Sequence, residues 1–138
     1  MNKGLIIPLM FFWMMLPSCQ HDNLSSKYPY LNNEEELVTL LFTENAESEP
    51  ADHHAYYDAL LDFQQEYPDA LSKVHAVDET DHQLMQYYEV TDFPAMIILD
   101  GEEVQLRLEG SNDYTVIKDE IKNKVLAEDL LTSSKRYN

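Results

Sequence analysis

The chain reads as an α/β domain in three layers, with a mixed central sheet of about four strands and helices on both faces. Three observations predict this. Continuous apolar runs at Leu37–Phe42 and Ala95–Leu99 suit strands buried on both sides. Segments between and after them carry apolar residues at helical spacing. The order is strand, helix, strand, helix, strand, hairpin, strand, helix, which requires parallel and antiparallel neighbours in one sheet.

Taken in order, Leu37 to Phe42 forms the first strand, and a polar loop from Thr43 to Asp52 follows. The next helix has an inner stripe of Tyr56, Leu60, Phe63 and Tyr67, widened by Tyr57 and Leu61, and Pro68 ends it. Lys73 to Val77 is a second strand, and Asp81 to Tyr88 a short helix carrying Leu84, Met85 and Tyr88. Ala95 to Leu99 is the third strand, closed by Asp100-Gly101, a dipeptide suited to tight hairpin turns. Val104, Leu106 and Leu108 then alternate with Gln105, Arg107 and Glu109, the pattern of a half-exposed antiparallel strand. Ser111 or Asn112 caps the last helix, whose inner face uses Val116, Ile117, Ile121, Val125 and Leu126. Beyond Gly4 the glycines are Gly101 and Gly110, both at expected turns.

Ahead of this domain, Lys3, an apolar run from Leu5 to Leu16, and Leu16-Pro17-Ser18-Cys19 read as a secretion signal. The run contains Pro8 and falls short of the about 20 apolar residues that a spanning helix needs. It resembles the lipobox of bacterial lipoproteins, although Pro17 stands where small or aliphatic residues are usual. The resemblance implies a signal peptide over residues 1–18 and a lipid on the sulfur of Cys19. It also implies residence at the extracytoplasmic face of a bacterial membrane, with that lipid as the sole non-protein group. Two or three acyl chains, at about 0.8 kcal/mol per buried methylene, would hold the chain there. Residues 19–35 then form a lipidated terminus and polar tether. A flexible stretch from Gln20 to Glu36 would span on the order of 20 to 25 Å. Tyr28, Tyr30 and Leu31 offer the alternative of packing on the domain.

Acidic residues outnumber basic ones 26 to 9, and loss of Lys3 with the signal leaves 8 − 26 = −18. Such a surface repels nucleic acid and anionic headgroups. It suits either a solvated exterior or recruitment of a basic partner.

Residues 36–128 resemble the thioredoxin-like superfamily, with 129–138 as a C-terminal tail. The local match is Tyr88-Glu89-Val90-Thr91-Asp92-Phe93-Pro94, followed by the apolar strand Ala95–Leu99 and the turn at Gly101. In that family the proline is cis and faces the active-site loop, so Pro94 is the implied cis-proline. Gly110 falls where the family turns into its last helix, and Val77-Asp78 where a strand leads into its second. Redox members place a Cys-x-x-Cys pair where this chain has Glu47-Ser48-Glu49-Pro50. A dithiol exchange needs an attacking and a resolving thiol, and Cys19 is the only cysteine. Thiol–disulfide chemistry is therefore not expected.

Cysteine-free members can instead bind an extended peptide at the proline loop by strand addition. The resemblance thus implies a protein- or peptide-binding or accessory module of the cell envelope, with Asp92, Phe93, Pro94 and Phe42 lining the site beside residues 44–50. The alternative is a metal carrier or non-thiol enzyme built on residues 44–54. Asp52, His53 and His54 are its weak metal candidates, with Asp81-His82 further along. Adjacent helical histidines diverge by about 100°, and the i, i+4 spacing is missing. Ser48 with a neighbouring histidine and Asp52 does not make a convergent triad. Neither a phosphate loop nor a glycine-rich nucleophile elbow is present.

Overall fold

The computed structural model describes residues 24–32, 36–44, 52–71 and 73–136, with side chains from His53 onward in the third segment and through residue 127 in the last. Residues 1–18, Cys19 and the loop Glu47-Ser48-Glu49-Pro50 lie outside the described residues.

The elements are α1 (Leu24–Lys27), a 3-10 turn (Pro29–Asn32), β1 (Val38–Thr43), α2 (Asp52–Glu66), β2 (Val74–Asp78), α3 (His82–Tyr87), β3 (Ala95–Asp100), β4 (Glu103–Glu109) and α4 (Tyr114–Arg136). They form a four-stranded sheet in the order β2-β1-β3-β4. β1 pairs parallel with β2 and antiparallel with β3, and β3 pairs antiparallel with β4. The expected mixed sheet with helices on both faces is thus the observed architecture.

Strand alternation sends β1 and β3 side chains into two cores. Val38, Leu40, Phe42, Ala95, Ile97 and Leu99 meet α3 and the N-terminal segment. Leu41, Met96 and Ile98 meet Tyr56, Leu60 and Phe63 of α2 and Ile117, Ile121 and Val125 of α4. From Val38 to Phe42 and from Ala95 to Leu99 the strands are apolar because neither face sees water. Thr39 is the exception: it is fully buried, and among the described residues its Oγ1 has no hydrogen-bond partner. A buried hydroxyl without a partner is costly, so Thr39→Val is expected to raise stability by about 1 kcal/mol. A lower denaturation midpoint for the variant would contradict this.

Leu24, Tyr28 and Leu31 are buried in the α3-side core, and Tyr30 packs against it. Of the two readings of this stretch, packing is the observed one for residues 24–32. Tyr28 donates its hydroxyl to the Asp81 carboxylate, with oxygens at 2.5 and 2.7 Å. Asp81 also caps α3 by accepting from the Leu84 amide at 3.4 Å. One carboxylate therefore starts the helix and fastens the N-terminal segment to it.

Several expectations need correction. Tyr57 and Leu61 do not widen the inner face of α2; they are 45% and 55% exposed, while Ala59 is buried. A 100° step per residue takes both off the sheet-facing arc. Val116 is likewise exposed, and Ile117, Ile121 and Val125 form the narrower i, i+4, i+8 seam. In β4, Ile98 pairs with Leu106 but Leu99 pairs with Val104. Gln105 is therefore the extra residue of a bulge, which takes Val104 off the Leu106 face and leaves it exposed. Asp100 is the last residue of β3, and Gly101, at φ +57°, opens the two-residue turn to Glu103. Neither Ser111 nor Asn112 starts α4; the Asp113 carbonyl accepts the amide of Ile117. Residues 129–136 continue α4 rather than forming a tail, since no Gly or Pro follows Gly110 to stop the helix.

Candidate functional site: the loop before Pro94

α3 ends in a left-handed residue, Glu89, at φ +52°. The Glu89 amide donates to the Gln86 carbonyl at 3.3 Å and the Val90 amide to Met85 at 2.9 Å. This is the Schellman arrangement, with glutamate in the place glycine usually takes, and buried Val90 supplies its apolar contact. The motif turns the chain out of α3 and into Thr91-Asp92-Phe93.

Thr91 and Asp92 are exposed, Phe93 is half-buried against the α3-side core, and Pro94 is buried. The Phe93–Pro94 peptide bond is cis. Among the described residues, none hydrogen-bonds the backbone of Thr91, Asp92 or Phe93. The residue that follows is held firmly. Gly110, at φ +75°, donates its amide to the Pro94 carbonyl at 2.9 Å, and its own carbonyl accepts the Tyr56 hydroxyl at 2.8 Å. The Asn112 amide Nδ2 lies 2.8 Å from the Tyr56 oxygen, 3.1 Å from the Glu109 carbonyl and 3.2 Å from that of Gly110. Two N–H groups thus serve three acceptors. On the other side, Arg107 donates to the Tyr88 carbonyl at 2.6 Å and to Glu109 at 2.6 Å, tying the end of α3 to β4.

Phe42 is 0% exposed and meets Tyr88 edge to face, with ring centroids 6.4 Å apart. It supports the site from beneath and cannot touch a ligand, which corrects its place among the contact residues. Burial pushes the Tyr88 phenol up to about 12, so it stays neutral at any physiological pH.

Of the metal candidates, only the histidines and Asp81 have described side chains. His53 is partly buried with an unpartnered Nε2, His54 is exposed, and the Asp52 side chain lies outside the described residues. Asp81 is occupied by Tyr28 and Leu84, and His82 is exposed. Among the described residues no group of three His, Cys, Asp or Glu could hold an ion.

Residues missed in the sequence include Tyr56 and Asn112, whose side chains read respectively as core and as a helix cap, and the pair Tyr30–His75. Those two rings stack at 3.9 Å with 10° between planes. Burial, reinforced by the charge of Lys73, lowers the His75 imidazole below its usual 6.5. Its folded form resists protonation more than the unfolded chain does. The stability this contributes is full above the unfolded value of 6.5 and is lost as pH falls through the lower folded value. His75→Gln is expected to flatten the fall of the unfolding midpoint that begins as pH drops below the unfolded value of 6.5. An unchanged slope in thermal melts below that pH would remove His75 as its source.

Among solved structures, the chain is similar to thioredoxin f2 of Chlamydomonas reinhardtii, at 16% identity over 72% of this chain and 89% of that one, with a TM-score of 0.56. It is also similar to the oxidised thioredoxin of Plasmodium falciparum, at 13% identity over 75% and 90%, with a TM-score of 0.54. The zinc-bound form of human ERp44 matches at 17% identity over 75% of this chain and 30% of that one, with a TM-score of 0.56. No family model and no curated protein matches the chain. At these identities the likeness is one of fold, and the fold is thioredoxin-like.

Proposed function

We propose that the chain is an extracytoplasmic lipoprotein, anchored through Cys19, whose thioredoxin-like domain binds an extended segment of a cell-envelope protein instead of exchanging disulfides. The observation that carries the binding reading is the loop Thr91-Asp92-Phe93: its backbone is unpaired among the described residues, while the Pro94 carbonyl behind it is fastened to Gly110. Such a loop presents donors and acceptors in a fixed place, which is what strand-like peptide capture requires. The non-redox reading rests on the cysteine count of one.

Titration of the isotope-labelled chain with a panel of extended peptides tests the binding. Binding peptides should shift the amides of Thr91, Asp92 and Phe93, and Phe93→Ala should weaken them by about tenfold or more with a retained cooperative melt. Undisturbed loop amides, or equal affinity for the variant, would remove the loop from the function. The chain should not accelerate insulin reduction by dithiothreitol, and measurable catalysis would overturn the non-redox reading. Native protein from membranes should begin at an acylated Cys19; a free thiol with Met1 retained would refute the anchor.

A further inference from the structure

The strand order leaves two edges, β2 and β4, and they are unlike. β4 carries Glu103, Arg107 and Glu109 and is bent by the bulge at Gln105, devices that discourage strand addition. β2 has no bulge, and Asp78 at its end is its one formally charged residue. From Val74 to Val77 it contains no formal charge with His75 neutral, no proline, and an unbroken register with β1. In a parallel ladder the N–H and C=O of one residue point to the same side, so about half of the peptide groups of β2 face away from β1. Among the described residues, the one bond to the backbone of β2 outside the ladder is from Asp81 to the Asp78 carbonyl, at the strand's end.

An apolar ledge runs beside this edge. Asp62 and Glu66 of α2 face α4, where Lys118 lies 3.5 Å and Lys122 3.6 Å from Glu66. A 100° step per residue puts Tyr57 and Leu61 on the opposite flank, over the β2 side of the sheet. They are the exposed large apolar residues of α2, at 45% and 55%. Ala76, also exposed, is paired with Leu41 and so shares the face that α2 covers. An added strand would find partners for its backbone along β2 and an apolar surface for alternate side chains.

Charge decides what the strand is. The chain carries −17, so a second copy would approach against like charge. Asp78 ends the strand and Glu79 follows it, with Lys73 as the opposing cation just before its start. We propose that the outer edge of β2 accepts an extended, lysine- or arginine-bearing segment of a partner protein as an added strand. This site is separate from the loop before Pro94, and either can fail without the other.

Hydrogen exchange of the full chain tests it with three short peptides: alternating valine and threonine flanked by lysines, the same peptide N-methylated at alternate residues, and one flanked by glutamates. The lysine peptide should slow exchange within residues 74–78 by about tenfold or more at saturation, and the other two should not. Ala76→Lys, at an exposed position, should abolish that protection while leaving the thermal midpoint in place. Absence of protection, protection only at 103–109 or 91–93, or equal action of the glutamate peptide would overturn the proposal. So would concentration-dependent self-association that protects residues 74–78 without peptide.

Discussion

Phe42→Ala is expected to cost about 3 to 5 kcal/mol of folding stability, the usual result of deleting a buried phenylalanine. The side chain has no exposure, lies in the α3-side core with Leu40, Ile97 and Leu99, and meets the Tyr88 ring. A domain of this size shifts its melting point by roughly 4 to 8 °C per kcal/mol, so the variant should melt well below the parent. Equilibrium denaturation checks this directly. A peptide-contacting Phe42 would behave in the opposite way, losing affinity with its midpoint retained, and that outcome would show the core assignment to be wrong.

Tyr56→Phe has the second large effect, about 1 to 3 kcal/mol, although it removes only one oxygen. That oxygen ties α2 to Gly110 and Asn112, 54 and 56 residues further along the chain. Without it the Gly110 carbonyl keeps only the Asn112 amide at 3.2 Å. Gly110 in turn holds Pro94, so slack should travel to the proposed binding loop. Exchange of the Gly110 amide should quicken in the variant before any global loss of structure. If stability and that exchange rate both match the parent, the hydroxyl is not a structural tie.

The helices, strands and mixed sheet were legible because buried strands are apolar runs and core helices repeat every 3.6 residues. The cis bond at Pro94 was legible because the residues from Tyr88 onward resemble the thioredoxin-like pattern. The sequence did not reveal what depends on register or on distant partners. Val104 and Leu106 look equivalent in an alternating strand, and only the bulge at Gln105 separates a surface residue from a core one. Tyr57 and Tyr56 are the same residue type side by side, yet a single 100° step puts one hydroxyl on Gly110 and the other ring in water. Glu89 gave no sign of its left-handed backbone, since glycine is the residue that normally marks that position. The bond from Tyr28 to Asp81 joins residues 53 apart, which no local pattern encodes.

The packing of Leu24, Tyr28 and Leu31 would set how far from a membrane a domain anchored at Cys19 could stand. With the anchor proposed at Cys19, five residue steps separate it from Leu24 (24 − 19 = 5). Fully extended, that length reaches at most about 18 Å. A domain of formal charge −18 (8 − 26, without Lys3) would then ride close to the bilayer, within about two screening lengths of the headgroups in physiological salt. Anionic lipids would repel it, so that the domain would stand upright on a short leash, and its tilt would depend on ionic strength.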